Sequence, residues 1–329
     1  MTTFPLFHLP LVAIDHVLCM MSPFDLLDLS LTSTKTKKAV KDFAKLKTKF
    51  LATLFASSDS PSISISRGLN QRLPVLETWS FTWTTDETKI GHKTEDFGVS
   101  HNVTKYSENP IGDLMKWYDY IKEVLGCPFR SIYFNLETFP NQNRLIFDWL
   151  CSHQNSFGYM RIYSKDKQQS EDIKYLFNNI RRAEELSLTG DLNEDDFHVE
   201  IPEGRNLSIQ NARFINYEQL LRLKHQDIFF QYSNLTNQEI NQFLKSWIAC
   251  ESHLDLKTIE IPTQSRNIMD FLIDIPNEVT TDPATLLKFY HRFFFTVHQA
   301  HSIHRSDGKM GSMIMTRVKD TFSLCLLVD

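Results

Sequence analysis

Glycine is scarce in this chain, 10 residues in 329, and the loops that cradle phosphates are missing with it. No GxxxxGK[S/T] run and no GxSxG elbow occurs, and HExxH is absent, so nucleotide-binding, serine-hydrolase and zincin readings have no anchor. Cysteine appears only at Cys19, Cys127, Cys151, Cys250 and Cys325, scattered and never as CxxC. That usage suits free thiols in a reducing, intracellular compartment rather than a disulfide frame. The sequons at Asn102, Asn206 and Asn234 are accordingly expected to carry nothing. No apolar run reaches the length of a membrane span. Neither charge dominates, with 35 Lys and Arg against 40 Asp and Glu, so there is no global electrostatic case for nucleic acid.

Apolar residues are plentiful, 42% of the chain with 25 Phe, enough for a large domain and a small one. The first fifty residues read as three short helices. Leu11, Ile14, Val17, Leu18 and Met21 share one face, Ser22-Pro23 opens a second helix with Leu26, Leu27 and Leu29, and a third starts near Ser33 with Val40, Phe43 and Ala44 on one stripe. So small a unit has too little core to stand alone, and surplus apolar side chains on it imply a partner. A helical hairpin capping a larger core has the same spacing, so periodicity leaves both readings open. A cleaved signal peptide is not expected: no Lys or Arg precedes Lys35, and His8, Pro10, Asp15 and His16 interrupt the apolar stretch.

Leu9-Pro10 before a helix, then Ile14 and Leu18, Pro23 before Leu26-Leu27, Leu29-Ser30-Leu31 and a Lys-rich helix together resemble an F-box, over residues 4–50. The resemblance implies docking on a Skp-type adaptor, and through it a cullin-based ubiquitin ligase, by Leu9, Pro10, Ile14, Leu18, Pro23, Leu26 and Leu29. One departure is that many F-boxes carry Val-Cys-Lys-x-Trp where this chain reads Thr32-Ser33-Thr34-Lys35-Thr36.

The lysines from Lys35 to Lys49 form the one strongly basic run and read as a solvated helix face. Ser57 to Ser62, SSDSPS, is turn-rich, which places a linker over 51–62 and a second domain over 63–329. Ser62 to Ser66 alternates as a strand, Leu76 to Trp83 reads as another, residues 86–110 show no period and read as loop, and Leu114 to Leu125 reads as a helix stopped by Gly126.

The most informative regularity follows. Apolar residues at i and i+2 recur as Ile132/Phe134, Met160/Ile162, Leu186/Leu188, Leu207/Ile209, Ile228/Phe230 and Ile259/Ile261, at intervals of 28, 26, 21, 21 and 31 residues, with helical segments between them. That pattern predicts an α/β fold built as a degenerate leucine-rich-repeat-like solenoid. An ordinary α/β domain with irregular spacing is the alternative. Because strand side chains alternate, the residues between the pairs, Tyr133, Arg161, Ser187, Ser208, Phe229 and Glu260, are expected to line an outward, target-binding face. Asp307-Gly308, flanked by alternating apolar residues, predicts a C-terminal β-hairpin cap.

Asn206 to Asn211, Tyr217 to Leu221 and Asn241 to Ile248, in that order after an F-box, resemble the type-2 F-box-associated domain of a large nematode family. The resemblance implies a substrate-binding module for a target protein. The expected function is thus a substrate-recognition adaptor without catalytic residues, cofactor or metal; the alternative is an interaction scaffold whose N-terminal helices cap its repeats. His298, His301 and His304 are the one spacing that suggests a metal, and Glu184-Glu185 and Glu194-Asp195-Asp196 read as solvated turns.

Overall fold

The computed structural model describes residues 8–47, 50–67, 77–95, 99–165, 169–190, 199–318 and 321–329. Phe4 to Phe7 of the amino-terminal stretch, Lys49, Leu76 and the acidic run Glu194 to Asp196 lie outside them. The chain divides into two compact units, 1–157 and 158–329. Among the described residues no helix is long and apolar enough to cross a membrane.

The first unit opens with α1 (Leu11–Met20), α2 (Pro23–Thr32) and α3 (Thr34–Lys47). Ser22 starts α2 as expected: its Oγ accepts from the Asp25 amide at 3.2 Å while its own amide donates to the Asp25 carboxylate at 2.9 Å. The strands are β1 (Phe50–Ala56), β2 (Ser62–Arg67), β3 (Thr78–Thr84), β4 (Gly91–Glu95), β5 (Ser100–Tyr106) and β6 (Phe129–Asn135), in the sheet order β6-β1-β2-β3-β5-β4. Helices α4 (Pro110–Leu125) and α5 (Asn143–His153) complete the unit.

Two expectations are corrected here. The segment 51–62 is not all linker, because β1 fills its first half and lies inside the sheet, antiparallel to β2 and parallel to β6. Its Phe50, Ala52, Leu54 and Ala56 are buried. Leu51 and Phe55, on its other face, hide the apolar-polar alternation that would mark a strand. Residues 86–110 are not loop but hold β4 and β5. Edge strand β4 is exposed at every position, so it never needed an apolar face.

Helix α4 ends where Gly126 takes φ 65°. Behind it Tyr118 is fully buried, stacks on Phe129 at 3.8 Å, and donates its hydroxyl to the Cys127 carbonyl at 3.1 Å.

The three amino-terminal helices are docked on this sheet and on α4. Phe24 meets Phe81 edge-on at 4.8 Å, and the Ser30 and Tyr120 hydroxyls bond at 2.8 Å. Arg67 donates to the carbonyls of Cys19 and Met21. Lys37 and Lys41 both reach Glu123, at 2.8 and 3.2 Å, and Lys37 lies 4.7 Å over the Tyr120 ring. Part of the lysine run is therefore a clamp rather than a free solvated face. The Lys37 bond holds the Glu123 carboxyl below its ordinary range, and Glu123 in turn raises the Lys37 ammonium.

The second unit runs β7 (Ser156–Ser164), α6 (Ser170–Asn179), β8 (Arg182–Gly190), β9 (Asn206–Asn211), α7 (Tyr217–Arg222), β10 (Asp227–Tyr232), α8 (Asn237–Ile248), β11 (Thr258–Thr263), β12 (Glu278–Thr280), α9 (Pro283–Phe293), β13 (Ala300–His304), β14 (Met310–Val318) and β15 (Thr321–Val328). Its sheet order is β12-β13-β14-β15-β11-β10-β9-β8-β7. Strands β8 to β11 are parallel and adjacent in chain order, whereas β15 pairs antiparallel with β11 and β14, β13 and β12 follow, each antiparallel to its neighbour. Every member of the six i/i+2 pairs is buried, none more than 3% exposed, because those positions hold the inner face of the strands. Gly204 lets the segment before β9 touch β8, since a Cβ there would sit 1.9 Å from the Ala183 carbonyl oxygen.

The hairpin expected at Asp307-Gly308 joins β13 to β14, with Gly308 at φ 91°. Helix α9 was not legible in the sequence. Its Phe289 and Phe293 pack with Ala300, Ile314, Cys325, Leu327 and the half-buried Phe229, and Cys325 lies directly opposite Glu260. The helix thus covers the outer face of part of the sheet.

Candidate functional site

The amino-terminal helices separate the seven expected docking residues into two sets. Ile14, Leu18, Pro23 and Leu26 face the interior, with Leu18 at 1% and Leu26 at 0% exposure. Leu9 and Leu29 are half-buried and Pro10 is exposed. The physical reason is geometric: three short helices own so few apolar residues that their inner stripes are consumed in holding them together and onto the sheet. The apolar side chains left in solvent are others, Leu11 at 82%, Leu46 at 77% and Met20 at 79%, with Val12 and Leu31.

A groove of about 280 Å³ runs between α1 and α3. Ile14, Leu18, Ala39 and Phe43 line it, Leu11 and Leu46 stand beside them, and Asp15, Lys35, Lys38 and Asp42 form its charged lining. An apolar floor with a charged rim is the form of a helix-in-groove docking site.

The outward row is partly open. In register across the second unit, Ser187 faces Ser208, Ser208 faces Phe229, and Phe229 faces Glu260. Arg161, on β7, is exposed. Phe229 is no free contact residue: Phe293 of α9 meets it edge-on at 6.3 Å, and the Arg292 guanidinium lies 5.1 Å over its ring. Glu260 is half-buried, and desolvation holds its carboxyl above the ordinary range while Ser323 pulls it back. Tyr133, in the first unit, stacks on Phe55 at 4.8 Å.

The same face of the first unit carries a feature that the sequence reading missed. Phe55, Ser62, Thr82 and Thr104 lie in register, as do Thr53, Ser64, Ser80 and Asn102, giving a hydroxyl-rich surface. The serines of Ser62-Ile63-Ser64-Ile65-Ser66 were its visible signal.

His301 and His304 both lie on β13, and an odd separation on a strand turns them to opposite faces. His301 is bonded to the Asn277 side chain at 3.0 Å and His304 is exposed. Among the described residues no group of three His, Cys, Asp or Glu could hold a metal ion.

A different histidine has a physical consequence. His225, 2% exposed, donates from Nε2 to the Pro202 carbonyl at 3.1 Å, and burial lowers its pKa from 6.5 to about 4. Because the folded-state pKa is depressed, the unfolded chain binds more protons between pH 6.5 and about 4. Stability is therefore expected to fall as pH drops through that window, by roughly 3 kcal/mol from this residue. Urea unfolding at pH 7 and pH 5 samples it, and His225→Gln should make the slope shallower while leaving the part due to His253, which burial also lowers to about 4; an equally steep slope in the variant refutes the assignment.

Comparison with known families agrees with this geometry. Residues 6–48, which contain α1 to α3, match the F-box domain, and residues 200–261, which run from before β9 into β11, match the F-box associated domain. No curated protein and no solved structure matches the chain. Residues 6–48 of the first unit thus carry an F-box, and residues 200–261 of the second carry an F-box associated domain of type 2.

Proposed function

We propose that this protein is the substrate-recognition adaptor of a Skp–cullin–F-box ubiquitin ligase, acting inside the cell. The observation that carries the reading is the apolar groove between α1 and α3, which lies within the residues matching the F-box. Leu9, Pro10 and Leu29, with Leu11 and Leu46, supply the contact surface for a Skp-type adaptor. Ile14 and Leu18 form the groove floor, and Pro23 and Leu26 act by packing the helices beneath it. The adaptor in turn bridges to a cullin. A target protein is held by the second unit, on the open part of the outward face at Arg161, Ser187 and Ser208; Tyr133, in the first unit, is a separate candidate contact.

The in-order parallel strands β8 to β11 support reading this unit as a degenerate leucine-rich-repeat-like solenoid, with β13 to β15 as its cap. No catalytic step is assigned to the chain. Ligases of this kind work by proximity, holding an acceptor lysine near a thioester and so raising its effective concentration. The capping alternative rests on the contacts of the helices with Phe81, Tyr120 and Glu123. Capping on one side leaves the groove on the other free, so the two roles coexist.

The test is co-purification of the adaptor. Leu11→Asp with Leu46→Asp, both on exposed side chains, should reduce capture at least tenfold at an unchanged melting temperature. Leu26→Asp should lose capture by unfolding the helices, since it buries a charge at a site with no exposure. Wild-type chain that brings down no adaptor, or a surface double variant that captures it undiminished, overturns the proposal.

A further inference from the structure

Phe294 follows the last residue of α9 and takes φ 60°, ψ 27°, the left-handed conformation in which its amide closes the helix by donating to the Tyr290 carbonyl at 2.9 Å. Glycine or asparagine usually holds such a position, because a β-carbon crowds the following carbonyl there. The chain then alternates: Phe293, Phe295 and Val297 turn towards the cluster that seats the helix on the sheet, while Phe294 and Thr296 turn away. The Phe294 ring is thereby 82% exposed, with no ring partner among the described residues. Folding asks for a small residue at this point and gains nothing from a benzyl group. A bulky side chain held on a strained backbone in solvent is an outlier that function can explain.

The place of that ring follows from its neighbours. Phe293 meets Phe229 of β10 edge-on and Arg292 lies over the same ring, so the end of α9 marks the border between the covered and open parts of the outward row. Beyond it come Ser208 on β9 and Ser187 on β8, in register and short enough to let another backbone approach. Then comes β7 with Arg161, which is exposed and has no ion pair among the described residues. Helix α9 itself holds no carboxylate, and Asp227 and Asp329 beside it are taken by Arg292 and Lys288. The open floor is thus bounded by an aromatic ring on one side and an unpaired cation on the other. Strands about 4.8 Å apart put roughly 14 Å between the two borders, which an extended chain spans with about four residues.

We propose that Phe294 is the anchor for the client. An extended segment crosses β9 and β8 with a large apolar side chain, leucine, phenylalanine or tryptophan, against the Phe294 ring and a carboxylate, about four residues away, on Arg161. The proposal rests on the second unit being the client-binding part of the molecule. It adds the residue that does most of the gripping and the composition of what is gripped, apolar and acidic, with no prior modification required. An aromatic side chain on a rigid base is a common carrier of interface energy, and the buried Phe293 beneath it supplies that base.

A display library of random peptides, selected on the full-length protein, tests the idea without knowledge of the client. Enriched sequences should carry a large apolar residue with Asp or Glu about four positions away. A synthetic peptide of the enriched sequence, read by fluorescence polarisation, should bind Phe294→Ala at least tenfold more weakly. Phe294→Tyr should keep most of the affinity, and Arg161→Glu should turn the selection from acidic to basic residues while keeping the apolar one. Phe294→Gly separates a binding role from a structural one. It should lose the peptide as Phe294→Ala does and yet raise the melting temperature by about 2–4 °C, because glycine takes the left-handed conformation without strain. A lower melting temperature in Phe294→Gly, peptide binding that survives Phe294→Ala, or no enrichment at all overturns the proposal. So does a dimer of the free chain that Phe294→Ala dissociates, or retention on phosphatidylserine vesicles that the same variant abolishes, since the ring would then serve a second copy or a lipid surface. Adaptor capture from the same preparation keeps the two claims apart. A chain that captures adaptor but enriches no peptide loses this site alone, and one that enriches the peptide without capturing adaptor keeps the site and loses the ligase.

Discussion

A chain beginning at Phe50, without the three amino-terminal helices, is expected to melt about 10 °C below the full-length protein and to become aggregation-prone. The reason lies in what those helices cover. Phe81, 5% exposed, would lose the Phe24 ring that meets it at 4.8 Å. Tyr120 would lose the Ser30 hydroxyl and the Lys37 ammonium over its ring, and Glu123 would lose both of its lysines. Re-exposing a large apolar side chain costs about 1.5–3 kcal/mol, whereas the exposed ion pairs add little. Two such side chains amount to roughly 4 kcal/mol, and for a domain of this size each kcal/mol is worth about 2–4 °C. The cut has to fall before β1, because that strand lies between β6 and β2 and its removal would destroy the sheet for an unrelated reason. Scanning calorimetry of the two chains gives the answer. An unchanged midpoint would mean that the helices are a separable module.

Arg292→Ala should cost about 3 kcal/mol, more than Asp227→Ala, although the two side chains form one ion pair. Asp227 is 4% exposed, while its partner is about a third exposed. Removing the arginine leaves a carboxylate in the interior whose remaining ion pair among the described residues is with Arg205 at 3.9 Å; removing the aspartate leaves a guanidinium that water can reach. Arg292 also donates to the Thr258 hydroxyl at 3.2 Å and lies over Phe229, so its loss frees the end of α9 from the outer face of the sheet. Asp227→Ala with Arg292→Ala should recover part of the stability. Chemical unfolding of the two single variants and the double variant measures the coupling. Equal costs for the single variants would show that burial does not control the pair.

Loosening α9 has a functional side as well. The helix takes Phe229 and Glu260 out of the row that alternation assigned to the target, and the accessible remainder in the second unit is Arg161, Ser187 and Ser208. Client contacts made through Phe229 would therefore first require Arg292 to let go.

Much of this architecture was legible in the order of the residues. Ser22-Pro23 marked the start of α2 because a hydroxyl cap and a residue without an amide hydrogen suit a helix N-terminus and little else. The six i/i+2 pairs marked β6 to β11 because a strand buried on its inner face must place apolar side chains at every second position. Strand β4 escaped because it buries nothing, and β1 because both of its faces carry apolar residues. Helix α9 escaped because its large apolar residues divide between two faces: Phe289 and Phe293 inward, Leu287 and Tyr290 outward.

The sequence by itself determined the local elements, the inner faces of the strands and the presence of an F-box, since each depends on near neighbours in the chain and on the short periods of helix and strand. Only the tertiary structure decided which apolar residues remain available to a partner. Leu26 and Leu46 look equivalent as letters, yet one is sealed between helices and sheet and the other stands in solvent, because burial depends on what the rest of the chain brings alongside. The Arg213 guanidinium over the Tyr232 ring and the Arg266 guanidinium over the Phe322 ring belong to the same class, since 19 and 56 residues separate the partners.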